Sequence, residues 1–222
     1  MPAAASRSNA TVVLAALAAG QFVMALDSSV MNVSIPVVAA DVGTDVTGIQ
    51  TAITMYTLVM AAFMITGGKV GAIIGRKRAF TIGCVVYACG SLTTALSQTL
   101  PQLMFGWSLL EGLGAVLILP AIVALVASNF AREERPRAYG LLSAAMAIAV
   151  AAGPLIGGIC TTYFSWRWVF IGEVIVIAGI LAFSTRIADT TTREKTRCRR
   201  PFAACCPCAL SSSPAPRPPT AR

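Results

Sequence analysis

Residues 103–127 read LMFGWSLLEGLGAVLILPAIVALVA, twenty-five positions in which Glu111 is the single charged side chain. Apolar and polar residues do not alternate along this run, so it does not have the pattern of a membrane barrel strand. At about 1.5 Å of rise per residue an α-helix of this length covers a hydrocarbon core of about 30 Å. A helix is also the state in which an isolated span satisfies its own backbone hydrogen bonds away from water.

Working outward, five further apolar runs are bounded by charged or turn residues: 11–35, 49–67, 79–96, 138–160 and 168–185. Six spans with short connections account for most of the 222 residues, and twelve do not fit. The chain is 56% hydrophobic and 12% charged, against about 25% charged in a typical soluble domain. An ordinary soluble globular protein is therefore excluded, and the expected fold is an all-α membrane protein of six transmembrane helices. The first run also resembles a secretory signal peptide in its Arg7, its apolar stretch and its Ala-x-Ala triplets. It continues to Ile35, however, and cleaving it would leave five spans.

The net charge of +8 is first a topology signal in a chain this apolar. Arg7, Lys69, Arg76, Lys77, Arg78, Arg132, Arg135, Arg137 and Arg186 fall on one side of the predicted spans, and Arg167 alone on the other. This places both termini in the cytoplasm. The segment around Asp41 and Asp45, the 97–102 turn and the 161–167 turn then face outward. Residues 1–10 form a cytoplasmic N-terminus and 11–187 the bundle. Residues 188–222 read as a disordered basic tail rich in Pro and Cys, either a natural extension or out-of-frame translation of GC-rich sequence. The partners implied are a lipid bilayer and no nucleic acid, since no folded reader accompanies the arginines.

Histidine is absent, which removes Ser-His-Asp and Cys-His catalysis and imidazole metal sites. With no phosphate loop or nucleophile elbow either, the chain reads as no enzyme, and no metal or cofactor is expected. Cys84, Cys89 and Cys160 lie within spans. Cys198, Cys205, Cys206 and Cys208 lie in the tail without paired spacing, and signal palmitoylation only weakly.

Three carboxylates remain inside the spans: Asp27, Glu111 and Glu173. A carboxylate in the bilayer is costly and belongs in the bundle interior or a wet cavity. Counting rise per residue places all three in the outer half. Such groups can take up and release protons in step with substrate exchange. The plainer alternative is structural hydrogen bonding to a neighbouring Ser, Thr or Asn, with Glu173 close enough to the surface to pair with Arg167. Two stripes of small residues, Gly67/Gly71/Gly75 and Ala145/Ala149/Gly153/Gly157, allow close helix approach. Pro154 adds a bend to the second.

These residues resemble the major facilitator superfamily, and within it the proton-coupled drug antiporters of the fourteen-helix type. The segment 68–78, GKVGAIIGRKR, resembles the family's Gly-x-x-x-Asp-Arg-x-Gly-Arg-Arg/Lys signature at Gly68, Gly75, Arg76 and Lys77, with Arg78 following. Ala72 and Ile73 stand where the family has its acid and first arginine. The 26–36 segment, LDSSVMNVSIP, is similar to Leu-Asp-x-Thr-x-Val-Asn-x-Ala-x-Pro at Asp27, Asn32 and Pro36. Gly153, Pro154, Gly157 and Gly158 resemble the antiporter motif, and 165–170, SWRWVF, the segment after it. The fourth run has Ser108 and Glu111 where the family has arginine and glutamine.

The resemblance covers about residues 11–189, one amino-terminal half of the family fold. It implies proton-coupled efflux of a small hydrophobic or cationic substrate, with Asp27 and Asn32 at motif positions as proton or substrate groups; Glu111 and Glu173 join them as the other carboxylates inside the spans. It also implies a gate at 68–78. In the family the glycine face of the fifth span packs against the second half, so here it would meet lipid, a separate second half or a second copy. The alternative is a non-transporting half-bundle that associates with itself or with a separate half. Both readings place the chain in the cell membrane.

Overall fold

The computed structural model describes residues 3–183, with side chains from 11 to 182. Arg7, Arg186 and the tail of 188–222 with its four cysteines lie outside the residues whose side chains are described. The six apolar runs become six helical rods: α1 (Ala3–Asp41), α2 (Val46–Ile74), α3 (Arg76–Ala95), α4 (Leu100–Asn129), α5 (Arg135–Tyr163) and α6 (Arg167–Phe183). Among the described residues, α1, α2, α4 and α5 are each long and apolar enough to cross a membrane. The shorter α3 and α6 supply Tyr87, Ser91 and Glu173 to the interior.

Most helices outrun the apolar runs that predicted them. α2 continues through Gly68 to Ile74, so the expected 68–78 loop is helix broken at one residue. That residue is Gly75, at φ 104°, a conformation that side-chain-bearing residues rarely adopt. At its other end α2 is capped by Asp45, whose carboxylate accepts from the Gly48 amide at 2.8 Å. α4 is not uniform: Met104–Glu111 is π-helical before regular α geometry resumes at Gly112.

Glycine sets how closely the rods approach. A methyl group added at Gly114 would lie 2.8 Å from Tyr87 and 2.9 Å from the Gly83 carbonyl, and one at Gly90 would lie 2.9 Å from the Gly106 carbonyl. α3 and α4 thus touch backbone to backbone through glycines on both sides. Gly67 likewise brings α2 against the Val116 carbonyl of α4.

The second expected stripe has a different partner from the one anticipated. Ala149, Gly153 and Gly157 are buried, with Gly153 against Ser29 and Gly157 against Val30, both on α1 of the same chain. The Ser29 hydroxyl donates to the Val150 carbonyl at 3.0 Å across this crossing. The face is consumed inside the bundle because α1, which carries Asp27, needs a surface without side chains to lie so close to α5. Pro154 and Gly158 point away from this contact.

Two apolar clusters form the core. One gathers Leu17, Phe80, Tyr87, Ile122 and Leu125; the other gathers Met31, Ile49, Tyr56, Trp107, Trp166 and Phe170. Consecutive helices run in opposite directions, so the α2–α3 and α4–α5 turns share one end. That end carries Lys69, Arg76, Lys77, Arg78, Arg132, Arg135 and Arg137, while Arg167 is the lone described base at the other.

Candidate functional site

Asp27, Glu111 and Glu173 come from α1, α4 and α6, and the fold brings them together. One oxygen from each lies within 4.8 Å of the others, and all three are shut off from solvent, at 0%, 0% and 2% exposure. They sit where the two apolar clusters meet. Asp27 lies between Met24 of one and Met31 of the other, and its donors are Tyr87 of one and Trp107 of the other.

Asp27 is the best supported of the three. The Trp107 indole N–H reaches its Oδ1 and Oδ2 at 2.8 and 2.9 Å, and the Tyr87 hydroxyl reaches Oδ2 at 3.1 Å. Tyr56 of α2 stacks on Trp107 with ring centroids 5.0 Å apart and planes inclined by 12°, fixing the indole in its donating position. Glu173 accepts one hydrogen bond, from Ser91 at 3.2 Å. Glu111 has Thr94 Oγ1 at 3.3 Å, but the same hydroxyl lies 2.9 Å from the Gly90 carbonyl. Glu111 Oε2 and Glu173 Oε1 have no hydrogen-bond partner.

The π-helical turn explains how α4 reaches this point. Trp107 and Glu111 both turn inward from it, and Ser108 between them donates to the Ala52 carbonyl of α2 at 2.8 Å. Gly90 leaves the room that Glu111 fills, since a methyl group there would lie 2.6 Å from its Cγ. No lysine, arginine or histidine side chain enters the cluster among the described residues. The single described ion pair, Arg167 with Asp41, lies at the start of α6, six residues before Glu173. Three carboxylates so placed need protons or a cation to offset their charge. The all-oxygen donor set suits a hard cation if a metal enters.

Other expected site residues lie elsewhere. Asn32 is exposed on α1 and donates to the Ser28 carbonyl of its own helix at 2.7 Å, away from the cluster. Arg167 does not meet Glu173. It pairs with Asp41, donates to the Ser97 carbonyl and lies over the Trp166 ring, 4.7 Å from its centroid. Glu173 sits about 9 Å further along α6 and turns to Ser91 instead. Gly68 and Arg76 line a cavity of about 90 Å³ with Gly67, Gly71, Ala72 and Pro120, and Lys77 and Arg78 lie beside it at the helix start. Sequence reading missed Trp107, Tyr87, Ser91 and Thr94, which are polar groups on apolar stretches. Trp107, four residues before Glu111, was the one signal available.

Residues 17–212 match the family model of the Major Facilitator Superfamily. The chain is 32% identical over 188 residues to the riboflavin transporter RibZ of Clostridioides difficile (strain 630), covering 82% of this chain and 41% of the relative. It is 31% identical over 186 residues to the puromycin resistance protein pur8 of Streptomyces alboniger, covering 83% and 37%. It is also 31% identical over 181 residues to the cephamycin export protein CmcT of Amycolatopsis lactamdurans, covering 81% and 37%. A crystal structure of the peptide transporter POT in complex with sulfate superposes with a TM-score of 0.64 at 17% identity, over 82% of this chain and 38% of that one. The chain spans about two fifths of the length of the curated relatives it matches.

Proposed function

Because this chain belongs to the Major Facilitator Superfamily, we propose that it is the amino-terminal six-helix half of a proton-coupled exporter of small hydrophobic or cationic molecules. Membrane transport is the common ground of its relatives, several named for export or resistance. The observation that supports proton coupling is the buried Asp27–Glu111–Glu173 cluster, beside which no basic side chain lies among the described residues. Such a group changes charge by taking up or releasing protons, and its three helices would move with it.

In this reading all six helices cross the plasma membrane with both termini in the cytoplasm, as the basic end of the bundle supports. Asn32, exposed on α1 beside exposed Val33 and Val37, faces the substrate path, and the 68–78 corner forms the cytoplasmic gate. With Ala72 in place of an acid, that gate closes without the family's usual charge latch. Transporters of this fold bind substrate between two halves, and the six helices described here form one side of such a site.

The coverage of about two fifths of each relative favours a second reading as well, a non-transporting half-bundle that pairs with itself or a separate half. The deciding experiment expresses the chain in cells alone and together with the carboxyl-terminal half of a relative, and follows a fluorescent cationic dye. Export in the paired cells, abolished by Asp27→Asn, supports transport. No export in either case, with both pieces inserted in the membrane, overturns it.

A further inference from the structure

Within the carboxylate cluster the hydrogen-bond donors are unequally divided, and we propose that Glu111 is the member that binds the exchangeable proton, with Asp27 held as a fixed anion beside it. The inference rests on the proton-coupled reading of this site and names the group within it.

A buried carboxylate is stable as an anion only where N–H and O–H groups point at it. Asp27 has two such donors, Trp107 and Tyr87, and the indole of Trp107 can only donate. Glu173 has one, Ser91. The Thr94 hydroxyl has one proton to give, and the Gly90 carbonyl at 2.9 Å takes it ahead of Glu111 at 3.3 Å. Ser91, which also approaches Glu111, has its one proton on Glu173, so Glu111 is left with no donor of its own and its Oε2 is fully buried and unpartnered. A proton on that oxygen turns an orphaned acceptor into a donor, and an oxygen of each of the other two carboxylates lies within 4.8 Å of a Glu111 oxygen.

The groups that face Glu111 make the same assignment. Among the described residues they are Asp27 from α1, Tyr56 from α2, Tyr87 with Ser91 and Thr94 from α3, and Glu173 from α6, none of them a base. Gly90 presses on its Cγ from the remaining side. Asp27 is fenced from the exterior by Trp107, which is 1% exposed, and Tyr56. It is the hydrogen-bonded anion of the site, and the proton is held by the burial of Glu111 and its lack of donors.

The test is infrared spectroscopy of the purified full chain in lipid nanodiscs at neutral pH, reading the carbonyl stretch of a protonated carboxylic acid as a difference between parent and variant. Glu111→Gln is expected to remove that band, and Asp27→Asn to keep it. Loss of the band in Asp27→Asn with its retention in Glu111→Gln overturns the proposal, as does a metal cation bound to the parent chain that shows no such band. Gln is the shape of the neutral acid, so failure of Glu111→Gln to fold also counts against it. No transport is needed for this readout. A lack of dye export leaves the proton assignment standing, and a band that belongs to Asp27 leaves the export reading standing.

Discussion

The indole N–H of Trp107 is shared between the two carboxylate oxygens of Asp27, at 2.8 and 2.9 Å, across eighty residues of sequence. One hydrogen-bond donor thereby ties α1 to α4 at the level where the two apolar clusters join. Trp107→Phe keeps the aromatic ring against Tyr56 but deletes the donor, leaving Asp27 with Tyr87 alone. A lost hydrogen bond to a buried charged group costs about 2 kcal/mol. Thermal unfolding of the purified chain should show that loss, and in the paired-half export assay Trp107→Phe should weaken transport as Asp27→Asn does.

Glycine at the α3–α4 crossing is required by space. Gly90→Ala places a methyl group 2.6 Å from Glu111 Cγ and 2.8 Å from its backbone nitrogen, and backbone cannot step aside as a flexible side chain can. Overpacking of this kind costs about 2 kcal/mol. Gly140→Ala on α5 meets nothing within 4 Å and, by helix propensity alone, should stabilise by about 0.5–1 kcal/mol. Comparing the two variants by thermal unfolding separates close approach from propensity; equal effects would remove the argument that α3 and α4 touch through glycine.

Much of the fold was legible because a membrane helix is written in length and apolarity, both visible in 103–127 and the other five runs. The acids at 27, 111 and 173 were legible for the same reason, as expensive exceptions. Their donors were not, because Ser91, Thr94, Tyr87 and Trp107 look unremarkable on apolar stretches until the π-helical turn at Met104–Glu111 brings Trp107 inward against the α3 face that carries the other three. The glycine stripe of α5 was legible as a packing face, but its partner was not. Spacing says that something lies close, and only the fold says that it is Ser29 and Val30.

At the opposite end from the basic turns, Arg167 links three separate segments. It pairs with Asp41 at the end of α1, donates to the Ser97 carbonyl after α3 and lies over Trp166, whose own indole donates to Asp41 at 3.0 Å. Asp41 therefore receives both donors, and it is 41% exposed against 28% for Arg167. Water and salt screen a pair this open, so the direct ionic contribution is about 0.2–1 kcal/mol. Arg167→Lys retains the charge but not the planar fork that reaches Asp41 and Ser97 together, so a large part of the loss in Arg167→Ala should persist in Arg167→Lys. Raising the salt concentration should narrow the gap between the parent and Arg167→Ala only in its ionic part, leaving the contribution of the Ser97 carbonyl bond and the Trp166 stacking. If Arg167→Lys unfolds at the parent's temperature, the contact is a plain charge pair and the three segments are held together by the apolar cluster around Trp166 and Phe170 instead.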